Sequence, residues 1–147
     1  MRAFKKTVIS RKERTEVIED IRASLEKDEA SLFAYIYGSF CGEQGFNDID
    51  VAVFADETII KKETILDYQL GLAVRLERAL NRYPVDVRVL NVAPLSFKFS
   101  VITNGVAIYS KDEKDRVSFE VMTRSLYFDF KPHARFYYRN MIAGLDG

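Results

Sequence analysis

Apolar and polar positions recur along this chain with two periods. Phe33-Ala34-Tyr35-Ile36-Tyr37, Ile49-Asp50-Val51-Ala52-Val53-Phe54 and Val85-Asp86-Val87-Arg88-Val89-Leu90 are short β-branched or aromatic runs. They predict strands over about residues 31–37, 48–54 and 85–90. Elsewhere helical spacing takes over. Ser10-Arg11-Lys12-Glu13 fits a capping box, and Val17, Ile18, Ile21 and Leu25 follow it, which predicts an amphipathic helix to about Lys27. A second helix is predicted from about Lys61 to Asn81, with Ile65, Leu66, Leu72, Ala73, Leu76, Ala79 and Leu80 as its buried stripe. Pro84 ends the approach to the third strand. Pro94 starts another helix through Ile102, and Asn104-Gly105 stops it before a last strand at Val106–Tyr109.

From about Asp112 to Leu145 the period is helical again, with an interruption expected at Pro132. Val117, Val121, Met122, Leu126, Phe136, Ile142 and Leu145 are joined there by Tyr127, Phe128, Phe130, Tyr137 and Tyr138. That is more aromatic surface than one small sheet readily covers. Two readings stand: the tail packs on its own domain, or part of it, with Arg124, Arg135 and Arg139 beside the aromatics, forms a homo- or hetero-oligomeric interface.

Composition narrows the classes. At 147 residues the chain is expected to be one domain, 1–147, without a linker. Its 22 basic and 22 acidic residues balance, which argues against a duplex-binding protein that relies on a broad positive field. The one cysteine, Cys41, offers no internal disulfide and no paired thiol ligands. The one histidine, His133, stands far from any GxSxG-like elbow, and no such elbow is present, so triad hydrolases fall away. With no signal-peptide pattern and no apolar run of membrane length, the expectation is a soluble, cytoplasmic protein without a membrane partner.

The candidate chemistry lies in the strands. Alternation sends Asp48, Asp50 and Ala52 to one face of the second strand and Ile49, Val51 and Val53 to the other. On the third strand Asp86 and Arg88 share a face. If the two strands are neighbours, three carboxylates converge on one patch of sheet. Two like charges about 4 Å apart repel by roughly 4 kcal/mol at an effective dielectric of 20, a serious liability in a domain stable by about 5–15 kcal/mol. A divalent cation removes it, and an all-oxygen donor set favours Mg²⁺ or Mn²⁺ over zinc or copper. Gly38-Ser39 supplies the complement, since glycine lets backbone approach a phosphate and free N–H groups at a helix start bind anions.

Tyr37-Gly38-Ser39-Phe40, Asn47-Asp48-Ile49-Asp50-Val51-Ala52-Val53 and Val85-Asp86-Val87-Arg88-Val89-Leu90-Asn91 together resemble the motif of the DNA polymerase β-like nucleotidyltransferase superfamily: Gly-Ser, a short gap, Asp-x-Asp, and a third Asp on a later strand. Within it the chain is similar to the minimal nucleotidyltransferases, over about residues 30–110. Tyr127-Phe128-Asp129-Phe130-Lys131-Pro132 also resembles the C-terminal helix of the subgroup that serves as MntA-type antitoxin to HEPN-domain toxins. The resemblance implies an α/β (α+β) nucleotidyltransferase fold, a small mixed sheet flanked by helices, with a helical extension over about 111–147. It also implies AMP transfer from ATP, with loss of pyrophosphate, to a tyrosine of a HEPN toxin. Asp48 and Asp50 would bind two Mg²⁺ ions, or Mn²⁺. Asp86 would bind the catalytic one and help deprotonate the acceptor, and Gly38 and Ser39 would hold the triphosphate.

Many relatives carry an arginine soon after Gly-Ser, whereas this chain reads Phe40-Cys41-Gly42-Glu43-Gln44-Gly45. Arg88 is the candidate substitute in nucleotide binding; the competing reading makes it a structural partner of Asp50 or Asp86. Cys41 reads as a passive small residue, because no histidine activates it, and Asp56 shares the parity of Asp50 but lies beyond the strand. The toxin's Arg-x4-His pattern is missing, since Phe128 stands where its arginine would. The rival functions are an inactive relative that neutralises a partner by occlusion, and a nucleotidyltransferase for small molecules.

Overall fold

The computed structural model describes the backbone of residues 6–145 and the side chains of residues 6–129. Ser10 accepts the Glu13 N–H at 3.1 Å and so caps α1 (Arg11–Glu26), whose Val17, Ile21 and Leu25 are wholly buried. The strands are β1 (Ser31–Tyr37), β2 (Ile49–Ala55), β3 (Val85–Val89) and β4 (Val106–Ser110). The remaining helices are α2 (Ile65–Leu80), α3 (Leu95–Asn104) and α4 (Glu113–Leu145). Pro94 and Gly105 bound α3, as the punctuation of the sequence predicts.

The four strands lie in the order β3-β2-β1-β4. β1 is antiparallel to β2 and β4, while β2 and β3 are parallel, a pairing that needs a crossover, which α2 supplies. The sheet is therefore mixed and helix-flanked, the expected class. One face, with Ile49, Val51, Val53, Val85, Val87 and Val89, packs on α1 and α2. The other, with Phe33, Tyr35 and Ala52, packs on α3 and α4 through Val101, Ile102 and Phe119. β3 is an edge strand. Its Val85 and Val89 N–H groups do not meet another strand; they donate to Glu77 Oε1 at 2.9 Å and Gln69 Oε1 at 2.8 Å, both on α2.

The buried face of α2 keeps Leu72, Leu76 and Leu80 of the expected stripe, with Ile65 and Ala73 packed at its margin, and departs from it at Leu66 and Ala79. Tyr68, Leu72, Leu76 and Leu80 are buried at a strict spacing of four, whereas Leu66 is 64% exposed and Ala79 faces solvent. The helix carries a second apolar row, Leu66, Leu70 and Val74, that stays exposed. Tyr68 joins the buried row. Its hydroxyl donates at 2.5 Å to Asp28, itself buried and 3.5 Å from Arg75, so a polar anchor fixes the helix rotation. Burial and the Asp28 carboxylate hold the Tyr68 phenol well above its usual range, which keeps it a donor. Tyr68→Phe is expected to cost about 1–3 kcal/mol, the penalty of a buried polar group stripped of its partner, read as a lower urea midpoint at unchanged m-value.

α4 is continuous across Pro132, contrary to the expected interruption. The residues on either side continue the helix, so one missing N–H does not end it. Its inner face packs on its own domain: the Tyr35 hydroxyl donates to Glu120 at 2.9 Å, Phe119 packs on Phe33 at 5.2 Å between centroids, and Tyr127 stacks on Phe99 at 3.7 Å. Its outer face leaves Val117, Val121, Met122, Leu126 and Phe128 exposed. The reading in which the tail packs on its own domain holds for this inner face, and the outer face is left uncovered. The tail residues His133, Arg135, Phe136, Tyr137, Tyr138, Arg139, Ile142 and Leu145, and Phe130, fall outside the side chains described. Among the described residues no helix is long and apolar enough to cross a membrane.

Candidate active site

The parallel pairing of β2 and β3 sets Ile49 beside Val85, Asp50 beside Asp86, and Ala52 beside Arg88. Neighbouring strands run about 4.8 Å apart, so the two carboxylates start from adjacent backbone positions on one face. Asp48 stands two residues before Asp50 at the head of β2, and Tyr37, the last residue of β1, lies opposite Asp50 on its other side. There the chain turns through Gly38 into a 3-10 turn, Gly38–Cys41, that exposes Ser39. Gly38 has φ +78°, and a Cβ placed on it would lie 2.5 Å from Asp50 Oδ2. The turn can therefore touch the carboxylate only because it has no side chain.

Electrostatics mark the same spot. Partial burial, then the charges of Asp48 and Asp86, push the Asp50 carboxyl up to about 6, against a smaller opposing pull from Arg88. Burial and the Asp50 charge push the Tyr37 phenol up to about 12. Arg88 Nε lies 3.8 Å from Asp86 Oδ2, and its guanidinium lies 5.5 Å from the centre of Phe97, which meets Tyr37 edge-on at 5.4 Å. Both partners of that ion pair are more than half exposed, so it contributes little and either can be drawn to a ligand.

Asp48, Asp50, Asp86, Gly38, Ser39 and Arg88 are thus brought to one end of the sheet. The carboxylates are open there: among the described residues no three Asp, Glu, His or Cys side chains form a ready-made metal cage. Asp56 is not among them. It sits at the far end of β2, where it accepts Thr58 N–H and Oγ1–H at 2.9 and 2.7 Å, as a turn cap. The Cys41 thiol donates to the Ile36 carbonyl at 3.4 Å, and burial raises its pKa, so it is held as an inert thiol.

Arg14 is the residue that the sequence pattern does not disclose. From α1 its guanidinium bonds the Phe40 carbonyl and, at 3.0 Å, the Gly42 carbonyl, and lies over the Phe40 ring at 5.0 Å. It neutralises the carbonyl end of the turn whose other end presents Gly38 and Ser39. No local signal marks it, because its partners lie 26 and 28 residues away.

No curated protein sequence matches the chain significantly. Solved structures do. The fold is similar to a chain in the structure of a tri-AMPylated Shewanella oneidensis HEPN toxin in complex with MNT antitoxin, at 23% identity and TM-score 0.65, covering 88% of this chain and 98% of that chain. It is similar to a chain of a toxin–antitoxin crystal structure with AMP-PNP, at 26% identity and TM-score 0.65, covering 85% and 98%. It is also similar to a chain of the MntA-HepT toxin–antitoxin crystal structure, at 22% identity and TM-score 0.60, covering 90% and 99%. The sequence profile described as Polymerase beta, Nucleotidyltransferase matches residues 19–114, well over half of the chain, with the Gly-Ser turn and all three acids inside it, and the chain belongs to that family.

Proposed function

We propose that this protein is a Mg²⁺-dependent adenylyltransferase that moves AMP from ATP to a tyrosine hydroxyl of a HEPN-domain toxin in the cytoplasm, and so acts as its antitoxin. The observation that carries this reading is the in-register pair Asp50 and Asp86 beside the Gly38 turn. Family membership supports nucleotidyl transfer, and the fold shared with proteins solved with AMP-PNP and with a tri-AMPylated HEPN toxin supports the choice of nucleotide and acceptor.

Asp48, Asp50 and Asp86 fit hard divalent cations: they are oxygen donors only, and Asp50 is raised by burial and by the two neighbouring acids, which Arg88 only partly offsets. Two Mg²⁺ or Mn²⁺ ions held by these carboxylates would stabilise the attacking and leaving oxygens. Gly38 and Ser39 hold the β- and γ-phosphates through backbone N–H groups, with Arg14 steadying the turn. The acceptor oxygen forms a bond to the α-phosphorus. The bond from that phosphorus to the bridging oxygen breaks, and pyrophosphate leaves with the electron pair. The hydroxyl proton passes to the exposed Asp86 carboxylate. Arg88 leaves Asp86 for the triphosphate, the role of the arginine missing after Ser39. Arg88→Ala is expected to raise the Kd for ATP about tenfold or more, the loss of one charge-assisted contact, at an unchanged thermal midpoint. An unchanged Kd would assign Arg88 to its ion pair alone.

The test is the intact mass of the protein encoded beside this one, co-purified and incubated with ATP and Mg²⁺, for wild type and Asp86→Asn in parallel. A gain of one or more AMP units with wild type only is the expected result. The second reading, neutralisation by occlusion, draws on Arg88 lying on Asp86 and on the open carboxylates. A stable complex without mass change would establish it, and no complex at all would move the acceptor to a small molecule.

A further inference from the structure

The sheet end has a direction. Crossing it from β1 to β3, the order is the Gly38-Ser39 turn, Asp50, Asp86, and then a groove of about 520 Å³ at the outer edge of β3. In an in-line displacement the attacking oxygen enters opposite the leaving pyrophosphate. With the leaving phosphates on the turn at β1, the acceptor must arrive from the β3 side. The groove is what lies there. Asp86 and Arg88 form its polar end, Val87 and Val89 its floor, Leu66 and Leu70 of α2 one wall, and Pro94 and Phe97 of α3 the other.

We propose that this groove docks the acceptor protein through the segment that carries the acceptor tyrosine. This rests on the adenylyltransferase reading above and names how the protein acceptor is held. Two observations single out the occupant. Leu66, Leu70 and Val74 form an apolar row at a spacing of four that the core does not use; they are 64%, 60% and 44% exposed, and Val92 beside them is 54% exposed. Leu66 and Leu70 line the same groove as the candidate catalytic Asp86, so a segment that fills the groove is placed against that carboxylate. A tyrosine satisfies both ends at once: its ring packs against Phe97 and the leucines, and its hydroxyl meets Asp86. Gln69 and Glu77 already hold the outward N–H groups of Val89 and Val85. Strand addition is thus obstructed at both ends of β3, and the segment binds by side chains in the groove.

The test uses Leu66→Ser/Leu70→Ser, in which both exposed positions change without opening the core. The HEPN partner's equilibrium binding, its AMP gain and the Kd for ATP are measured for wild type and the double variant. The expected result is at least tenfold weaker partner binding and at least tenfold slower AMP gain, with the Kd for ATP and the thermal midpoint unchanged. Unchanged partner binding overturns the proposal. A parallel rise in the Kd for ATP also overturns it, by giving the groove to the nucleobase. If wild type binds the partner but transfers no AMP, the adenylyltransferase reading fails, yet weaker binding by the double variant would still establish the groove as the docking site.

Discussion

Asp50→Asn is expected to abolish AMP transfer and, in the same protein, to raise the thermal midpoint of the metal-free form. The two effects share one cause. Asp50 is the carboxylate on which burial, Asp48 and Asp86 all press, so without cations the fold prefers it protonated. A carboxyl whose folded pKa is raised contributes stability that is complete below its ordinary value of 3.8 and is lost as pH climbs through about 6. At pH 7.5 in EDTA the wild type therefore carries the full cost and the asparagine variant none. Two pKa units correspond to nearly 3 kcal/mol; the partial exposure of the site reduces this to on the order of 1 kcal/mol, a rise of about 2–4 °C in the midpoint. The difference between the variants should shrink towards pH 4. Transfer moves the other way: losing a central cation ligand removes several kcal/mol of transition-state stabilisation, a fall on the order of 10³-fold in kcat/KM. Equal midpoints at pH 7.5 would deny the charge crowding, and retained transfer would deny Asp50 its role.

Gly38→Ala is expected to be nearly as damaging through geometry alone. The new Cβ would stand 2.5 Å from Asp50 Oδ2 and 3.5 Å from its Cγ, on a residue with φ +78°. A left-handed non-glycine residue costs roughly 1–2 kcal/mol, and the overlap must be relieved by moving the turn or the carboxylate. A displacement of about 1 Å at a reacting site costs on the order of 100-fold in rate, so kcat/KM for transfer should fall by that much at temperatures where the variant is fully folded. Gly71→Ala is the control. Nothing lies within 4 Å of a Cβ at Gly71, in the middle of α2, so alanine there should stabilise by about 0.5–1 kcal/mol and leave transfer untouched.

Much of the scaffold is legible because its signals are local. The capping serine of α1, the proline and glycine that bracket α3, and the period of two in Val85–Val89 each depend on residues close in sequence. The parity that puts Asp50 and Asp86 on the same side of their strands is legible too. Their pairing in register is not, since it depends on the crossover α2 and the packing beneath both strands. The rotation of α2 is legible in the main, since Leu72, Leu76 and Leu80 of the expected stripe are buried; what escaped is that Leu66 and Ala79 stay outside it and that Tyr68 joins it, through a hydrogen bond to Asp28, 40 residues back. Arg14 escaped because its partners are backbone carbonyls, which have no sequence signature.

The side chains of Gln69 and Glu77 have a consequence for behaviour at high concentration. Val85–Val89 is a short, valine-rich strand at the rim of its sheet, the kind of edge that invites a second molecule to pair with it. With the Val85 and Val89 N–H groups engaged by side chains of α2, that template is interrupted at both ends of the strand. The strand that carries Asp86 thereby offers a second molecule a shorter ladder to pair with, while its side-chain face stays open to substrates.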